Sequence, residues 1–363
     1  MTELPETLPE GMTRGRGAAS NRAGRFETLT QTRIDDGWTA DAPEVQRTDV
    51  SCEHARSMIT YNRSPDLPFD RSINPYRGCE HGCIYCFARP SHAYLGLSPG
   101  LDFETKLIAR PNAAEVLAAE LAKPGYKVAP IAIGTNTDPY QPIEKKMGLA
   151  RECLDVLARA RHPVAIVTKG SLIERDIDIL ARMAKQGLVR VGISITTLDP
   201  VLARKMEPRC PAPARRLETI RRLAAACIPV RVMASPMVPA LTDHELEAIL
   251  EAGAIAGAST ASWIMLRLPR EVSQLWQEWL QTHFPDRTER IMGHLRGMHG
   301  GKDYDARWGH RMRGQGPYAE MIAQRFDRAV RAVGLETHAP RLPCHLFRPP
   351  TARSAQLSLF EDG

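Results

Sequence analysis

The stretch Asn74-Pro-Tyr-Arg-Gly-Cys-Glu-His-Gly-Cys-Ile-Tyr-Cys86 sets Cys79, Cys83 and Cys86 in a Cys-x3-Cys-x2-Cys run. Thiolate sulfur is a soft donor that selects iron-sulfur clusters, zinc or copper(I), so the residue types narrow the metal without fixing it. Spacing narrows it further. A tetrahedral zinc site wants four ligands, usually as two pairs separated by a longer loop. Here three cysteines come from one loop and no second pair follows. That asymmetry suits a cubane with one iron left open. A structural zinc site completed by His81 or the distant Cys344 is the competing reading of the same residues. Three inert buried thiols are disfavoured, because Gly78 and Gly82 flank them and glycine lets a backbone wrap closely around a cluster.

Working outward from that loop, the chain has 363 residues, 43% hydrophobic and 25% charged. This allows one large domain of roughly 200 to 250 residues plus extensions. No apolar run is long enough to span a bilayer, and Met1-Thr-Glu-Leu-Pro-Glu-Thr-Leu-Pro-Glu10 lacks the basic and apolar regions of a secretory signal. A cytoplasmic location without membrane partners is therefore expected. Eight cysteines in a chain of this length do not form the pattern of a secreted disulfide scaffold. The net charge of +6 is compatible with a polyanionic partner and too mild to identify one.

Residues 1 to about 50 are rich in Gly, Pro, Arg, Asp and Thr without apolar periodicity, and read as mostly disordered. Residues 51–72 form a lead-in. Over 73–268, short apolar runs alternate with helix-length segments, which predicts strand-helix units and a parallel sheet. After a first strand entering the cysteine loop, buried strands are expected at Ile131–Gly134, Val164–Thr168, Val189–Ser194, Pro229–Ala234 and Trp263–Leu268. Amphipathic helices are expected at Ala113–Ala122, Gly148–Ala160, Ile177–Gln186, Ala214–Ala226 and Thr242–Ala252, the last opening on a Thr242-Asp-His-Glu245 capping box. About six such units give an α/β fold, a partial (β/α)6 barrel, with function at the strand C-terminal ends. Those ends carry Thr135-Asn-Thr-Asp-Pro-Tyr-Gln-Pro-Ile-Glu144, Thr168-Lys-Gly-Ser171, Ser194-Ile-Thr-Thr197 and Ser235-Pro-Met-Val-Pro239. Each alone reads equally as a loop or a cap; their convergence on one rim is the stronger signal.

The cysteine spacing, with Tyr85 before the last cysteine, resembles the signature of the radical S-adenosylmethionine (SAM) superfamily. The resemblance implies that Cys79, Cys83 and Cys86 hold three irons of a 4Fe-4S cluster while SAM chelates the fourth. It further implies that an electron from the cluster, supplied by a donor such as flavodoxin or ferredoxin, cleaves SAM to methionine and a 5'-deoxyadenosyl radical. The cofactors carry the hard chemistry and the protein positions the reactants. SAM presents an ammonium, a carboxylate, a ribose and an adenine. On the rim, Asp138 or the Asn136 carbonyl suits the ammonium, Lys169 the carboxylate, Ser194 and Thr137 the carboxylate or ribose, and Tyr85 with Met237 the adenine. Asn74-Pro-Tyr-Arg-Gly-Cys-x-His-Gly-Cys-x-Tyr-Cys86 followed by Gly134-Thr-Asn-Thr-Asp-Pro-Tyr-Gln-Pro142 is similar to the spore photoproduct lyase-like group, over roughly residues 70–270. By that likeness Thr137, Lys169 and Ser194 fall where the lyase binds SAM. The lyase places a hydrogen-donating cysteine just before its second-strand Thr-Ser-Asp, where this chain has Thr135. Cys210 and Cys344 are the candidate substitutes, and an ordinary thiol is the plainer reading of each.

From about Pro269 the pattern changes to a helical basic extension over 269–340, with helices expected at Glu271–Phe284 and Tyr318–Val333. Between them Met298-His-Gly-Gly-Lys-Asp-Tyr-Asp-Ala-Arg-Trp-Gly-His-Arg-Met-Arg-Gly-Gln-Gly-Pro317 is glycine-rich and basic. Arg307, Arg311 and Arg313 can track phosphates while Tyr304 and Trp308 stack bases. The same loop reads equally as a salt-bridged lid over the barrel mouth. Residues 341–363 read as a flexible tail ending in Gln356-Leu-Ser-Leu-Phe360, which resembles the pentapeptide by which bacterial repair proteins dock on the replication sliding clamp. Leu359 and Phe360 would be the apolar anchors, Leu357 an added contact and Gln356 a hydrogen bond at the rim. A terminal element packed on its own domain is the alternative. The combined expectation is a clamp-associated radical SAM enzyme acting on DNA. An RNA-modifying radical SAM enzyme and a non-catalytic clamp-bound iron-sulfur protein are the other two readings.

Overall fold

The computed structural model describes residues 15–26 and 47–350. Six parallel strands, Arg71–Ile73, Ile131–Ile133, Val164–Thr168, Val189–Ser194, Val230–Met237 and Thr260–Met265, are hydrogen-bonded in that order. When strand order follows chain order, every crossover steps the same way. Right-handed crossovers then place the helices on one face, which gives the expected partial (β/α)6 barrel. Ile131 pairs with Val164, Val164 with Val189, and Val191 with Val230. These residues are all buried, as are Val232 and Ala234, and they recur at every second position, while Ala165, Arg190 and Arg231 between them are half-buried.

Both open edges of the sheet are covered. Thr60–Tyr61 pairs antiparallel with Arg71–Ile73. At the other edge Glu336 bridges Thr260, with Ala261 N donating to Glu336 O at 2.8 Å. Covering an edge removes a template for unwanted pairing. A second sheet sets Lys106–Ala109 between Asp49–Cys52, parallel to it, and Tyr76–Arg77, antiparallel to it. It fixes the chain just ahead of the cysteine loop.

The expected helices form at Ala113–Leu121, Leu149–Arg159, Ile177–Ala184, Pro213–Ala225 and Leu246–Ile255. Gly253 allows the last of these to lie close on the sheet, since a Cβ there would fall 2.7–2.8 Å from the Val232 side chain. The capping box expected at Thr242–Glu245 does not form. That stretch is a 3-10 turn, Asp243–Glu245, and Thr242 makes no cap. The Glu245 carboxylate instead accepts from Thr197 Oγ1 at 2.5 Å and Leu198 N at 2.6 Å, so a tertiary partner outcompetes the local one. A helix at Pro200–Met206 was not expected, although Asp199-Pro200 marks its start: Asp199 accepts from Val201 N at 2.7 Å and proline occupies the first turn.

The C-terminal extension has three helices, Glu271–His283, Thr288–Met298 and Pro317–Ala332, of which the middle one was not expected. Arg325 on the last pairs with Glu247 at 2.6 Å and tethers it to helix Leu246–Ile255. Beyond it, Arg348 N donates to Ala160 O at 2.8 Å and Phe347 lies against Tyr126 and His162. Ala160 and His162 precede the strand Val164–Thr168, so residues 341–350 close on the end of the barrel opposite the cysteine loop. Within residues 1–50, the segment 15–26 packs on the body, with Arg16 and Ala18 buried. Among the described residues no helix is long and apolar enough to cross a membrane.

Candidate metal centre and cofactor cleft

The loop after Arg71–Ile73 is wound by short backbone bonds: Cys79 N to Phe103 O at 2.9 Å, Cys86 N to Cys83 O at 3.1 Å and Arg89 N to Cys86 O at 3.2 Å. Gly78 and Gly82 adopt φ of +77° and +67°. A Cβ at Gly82 would meet the Glu104 carboxylate at 2.6 Å, so the turn requires glycine there. Beneath the loop Arg89 is fully buried and donates to Cys83 O at 3.0 Å, Gly82 O at 3.3 Å and Gly100 O at 2.8 Å. Its counter-charge is Glu104, also fully buried. Glu104 in turn accepts from Gly17 N and Ala18 N, both at 2.9 Å, which anchors the segment 15–26 to the underside of the loop.

Cys79 and Cys83 are buried and Cys86 is half-buried. Burial, with Cys83 and Cys79 adjacent, pushes the Cys86 thiol up to about 12. A buried thiolate needs a counter-charge, and irons bound to these sulfurs would supply it. Among the described residues no three ligating side chains converge as a formed metal site, but three thiols from one loop are the residue types a cluster held by Cys79, Cys83 and Cys86 would take. Cys83 itself is lowered to about 7, chiefly by a hydrogen bond from Cys210 and less by Lys169.

The second-strand loop braces this one at three points. Asn74 Oδ1 accepts from Asn136 N at 3.1 Å and Thr137 N at 3.4 Å. His81 Nδ1 lies 3.2 Å from Asp138 Oδ2. Gln141, fully buried, accepts from Glu80 N at 2.8 Å and donates to Gly78 O at 3.2 Å. Burial opposes ionisation of Asp138, yet His81, Lys169 N at 2.8 Å and Thr168 Oγ1 hold its carboxyl down at about 2. Asp138 is thus committed to bracing the loops. Gln141 was missed as a functional residue, although it stands in the quoted motif.

On the facing rim Tyr85 OH shares Glu207 with Thr196, whose Oγ1 lies 3.1 Å from the Tyr85 hydroxyl and 2.8 Å from Glu207 Oε1. Arg216 closes the network, donating to the Glu207 carboxylate and, at 3.1 Å, to Ser194 O. Lys169 Nζ sits 5.7 Å from the centre of the Tyr85 ring. Burial alone would lower the Lys169 pKa, but Cys83 and Glu207 raise it, so it stays an ammonium. The structure thereby brings Tyr85, Lys169, Ser194 and Cys83 together, with Thr137 and Asn136 on the adjoining loop. Met237, by contrast, is fully buried in the core. Ser235 Oγ, two residues earlier, is buried without a partner and adds an uncommitted hydroxyl.

Glu207 carries a pH prediction. Burial raises its pKa, but Arg216 and Lys169 bring it below the ordinary 4.5 to about 2. The group is ionised more readily when folded, so its contribution is present above pH 4.5 and lost as pH falls toward 2. The amount is on the order of 3 kcal/mol. In the cluster-free chain the urea midpoint is expected to drop over that window. Glu207→Gln should be weaker at neutral pH and show a shallower acid limb; an equally steep limb would assign the loss to other carboxylates.

Of the two other cysteines considered, Cys210 Sγ lies 3.8 Å from Cys83 Sγ, whereas Cys344 is near Leu342 at the far end of the barrel. The distance between the ends removes Cys344 from the cluster. In the basic loop, Arg307 pairs with Asp305 at 2.6 Å, Arg311 with Asp66 at 2.6 Å, and Arg313 lies over the Trp263 ring. Tyr304 lies against His299, and Trp308 is 59% exposed. Arg311 is thus tied outside the loop, whereas Arg307 pairs within it and stays largely exposed. The clamp-like residues Gln356, Leu357, Leu359 and Phe360 lie outside the described residues.

The radical SAM superfamily profile matches residues 73–253. An uncharacterised protein of Mycobacterium tuberculosis is 38% identical over 244 residues, covering 67% of this chain and 71% of the relative. One of Methanocaldococcus jannaschii is 25% identical over 219 residues, 60% of this chain and 78% of the relative. Spore photoproduct lyase complexed with dinucleoside spore photoproduct shares the fold at a TM-score of 0.56 and 14% identity, over 79% of this chain and 81% of that one. A variant of the same lyase with bound AdoMet and the dinucleoside gives 0.56 and 13%. The chain belongs to the radical SAM superfamily. It is an enzyme of SAM-dependent radical chemistry, and the family implies both the 4Fe-4S cluster and SAM.

Proposed function

We propose that this radical SAM enzyme acts on a base of DNA, in lesion repair or modification, in association with the replication clamp. The observation that carries the DNA reading is Phe87. It follows Cys86 directly, is 47% exposed, and carries the Arg267 guanidinium 4.3 Å from its ring centre. An exposed aromatic face backed by a cation is a platform on which a base stacks. Trp308 offers a second exposed ring on the basic loop. The lyase of the same fold was solved with a dinucleoside bound, which supports a nucleotide substrate here. Thr135 stands where that lyase is expected to carry its hydrogen-donating cysteine, so the proposal does not extend to the same lesion.

When bound, the cluster supplies the electron for cleaving SAM to methionine and a 5'-deoxyadenosyl radical. The protein's part is positioning. Lys169 is the cation for the SAM carboxylate, held by the backbone bond from its own N–H to Asp138. Ser194, Thr137 and Ser235 supply hydroxyls and Asn136 a carbonyl. Tyr85, fixed through its hydroxyl, presents a ring to the adenine. The tail motif supports clamp docking by its sequence alone.

The test is anaerobic reconstitution followed by chromatography for 5'-deoxyadenosine, with damaged DNA, intact DNA or RNA added. Product that rises with DNA over RNA is expected; equal stimulation by RNA, or none, would overturn the DNA reading. In parallel, Leu359→Ala with Phe360→Ala should abolish binding to purified clamp while leaving SAM cleavage unchanged, and unaltered clamp affinity would remove the docking claim.

A further inference from the structure

The loop that follows helix Pro200–Met206 is laced to the cysteine loop by two backbone bonds beside one thiol pair. Ile84 N donates to Met206 O at 3.1 Å and Arg209 N to His81 O at 3.3 Å. Cys83 lies between the two bonded residues of its own loop and Cys210 directly follows Arg209; their Sγ atoms are 3.8 Å apart. A disulfide needs sulfurs about 2 Å apart on backbones already close enough to be bridged. Those backbone bonds hold the two segments side by side, and the bridge requires the remaining gap between the sulfurs to close by side-chain rotation. The two thiols differ in access: Cys83 is buried, 8% exposed, whereas Cys210 is half-buried.

We propose that Cys83 and Cys210 form a reversible disulfide when the cluster is absent, so that oxidation of this pair and loading of iron at Cys83 exclude one another. This rests on the three-cysteine ligand set and is independent of the DNA reading. The oxidant is a low-molecular-weight disulfide. One thiolate of the pair attacks one of its sulfurs, forming a mixed disulfide and releasing one thiol. The other cysteine of the pair, as its thiolate, then attacks that cysteine's sulfur and expels the second thiol. Two cysteine thiols are oxidised to one disulfide, and the small disulfide is reduced to two thiols. The linkage withholds one ligand from iron and shields it from irreversible oxidation until a thiol reductant restores it. It also joins positions 127 apart in the chain, which should raise the thermal midpoint of the oxidised, cluster-free protein over the reduced one.

The experiment uses the full chain, stripped of iron with a chelator and treated with oxidised glutathione. Peptide mapping by mass spectrometry is expected to find Cys83 joined to Cys210, with loss of a pair of free thiols reversed by dithiothreitol. Iron and sulfide added without reductant should then fail to load the wild type, while Cys210→Ser loads as it does under reducing conditions. Linkages confined to Cys79, Cys83 and Cys86, or no linkage, would overturn the proposal. Failure of the reduced wild type to bind iron would instead strike at the ligand set.

Discussion

Replacing Cys79 or Cys86 by alanine is expected to remove the brown absorbance of the reconstituted protein and its 5'-deoxyadenosine formation together, with the chain still folded. The three ligands come from one tightly wound loop, so none is held in place by the metal alone. Arg89, Gln141 and the backbone bonds from Cys79 and Cys86 shape that loop without any iron. Losing one thiolate of three leaves the cluster two protein attachments, and loss of activity well beyond a hundredfold is expected, on the order of the effects seen when an essential group is removed. Cys83 needs a stricter test. Cys210 Sγ lies 3.8 Å from Cys83 Sγ and is placed to substitute for it, so the clean variant is Cys83→Ala combined with Cys210→Ser. A full cluster in Cys79→Ala or Cys86→Ala, measured by iron and sulfide content, would refute the assignment.

The second large effect is one of stability. Arg89 and Glu104 are both fully buried and ion-paired under the cysteine loop. Removing one partner of such a pair leaves an uncompensated charge and typically costs about 3–5 kcal/mol. Glu104→Ala should reach that range, because the guanidinium it leaves behind is still fixed to Cys83 O, Pro99 O and Gly100 O. The same change strips Gly17 N and Ala18 N of their acceptor, so the segment 15–26 loses one of its anchors. Native domains are stable by only about 5–15 kcal/mol, so the change consumes a large share. Urea unfolding of the cluster-free chain measures it; a loss under about 1 kcal/mol would mean that water reaches Arg89 and that the pair is not dry.

Much of the barrel was legible because its strands are short apolar runs bounded by polar rims. Val164–Thr168 and Val189–Ser194 end where the sequence predicts, at Thr168 and Ser194. The cysteine loop and its partner motif were legible as residue types, and the structure explains their pairing through Asn74, Asp138 and Gln141. What escaped depends on partners distant in the chain. The strands Asp49–Cys52 and Tyr76–Arg77 are too short for periodicity and exist because Lys106–Ala109 lies between them. Residues 15–26 look unstructured by composition, yet Gly17 N and Ala18 N reach Glu104, Asn21 reaches Asp102 and Arg25 reaches Glu271, partners far along the chain that composition does not register. Arg311 reads as free positive charge until Asp66, 245 residues away, is found opposite it. Glu245 reads as a local cap until Thr197 is seen to claim it.

The contact of Arg348 with Ala160 bears on how the protein can be held. The described chain departs from the closed end of the barrel, on the side away from Cys79, Cys83 and Cys86. A bead or sensor chip coupled at the last described residues, beside Arg348, therefore sits on the side away from the mouth. Attachment at that side is the arrangement to choose when electron donor and substrate must both reach the open end.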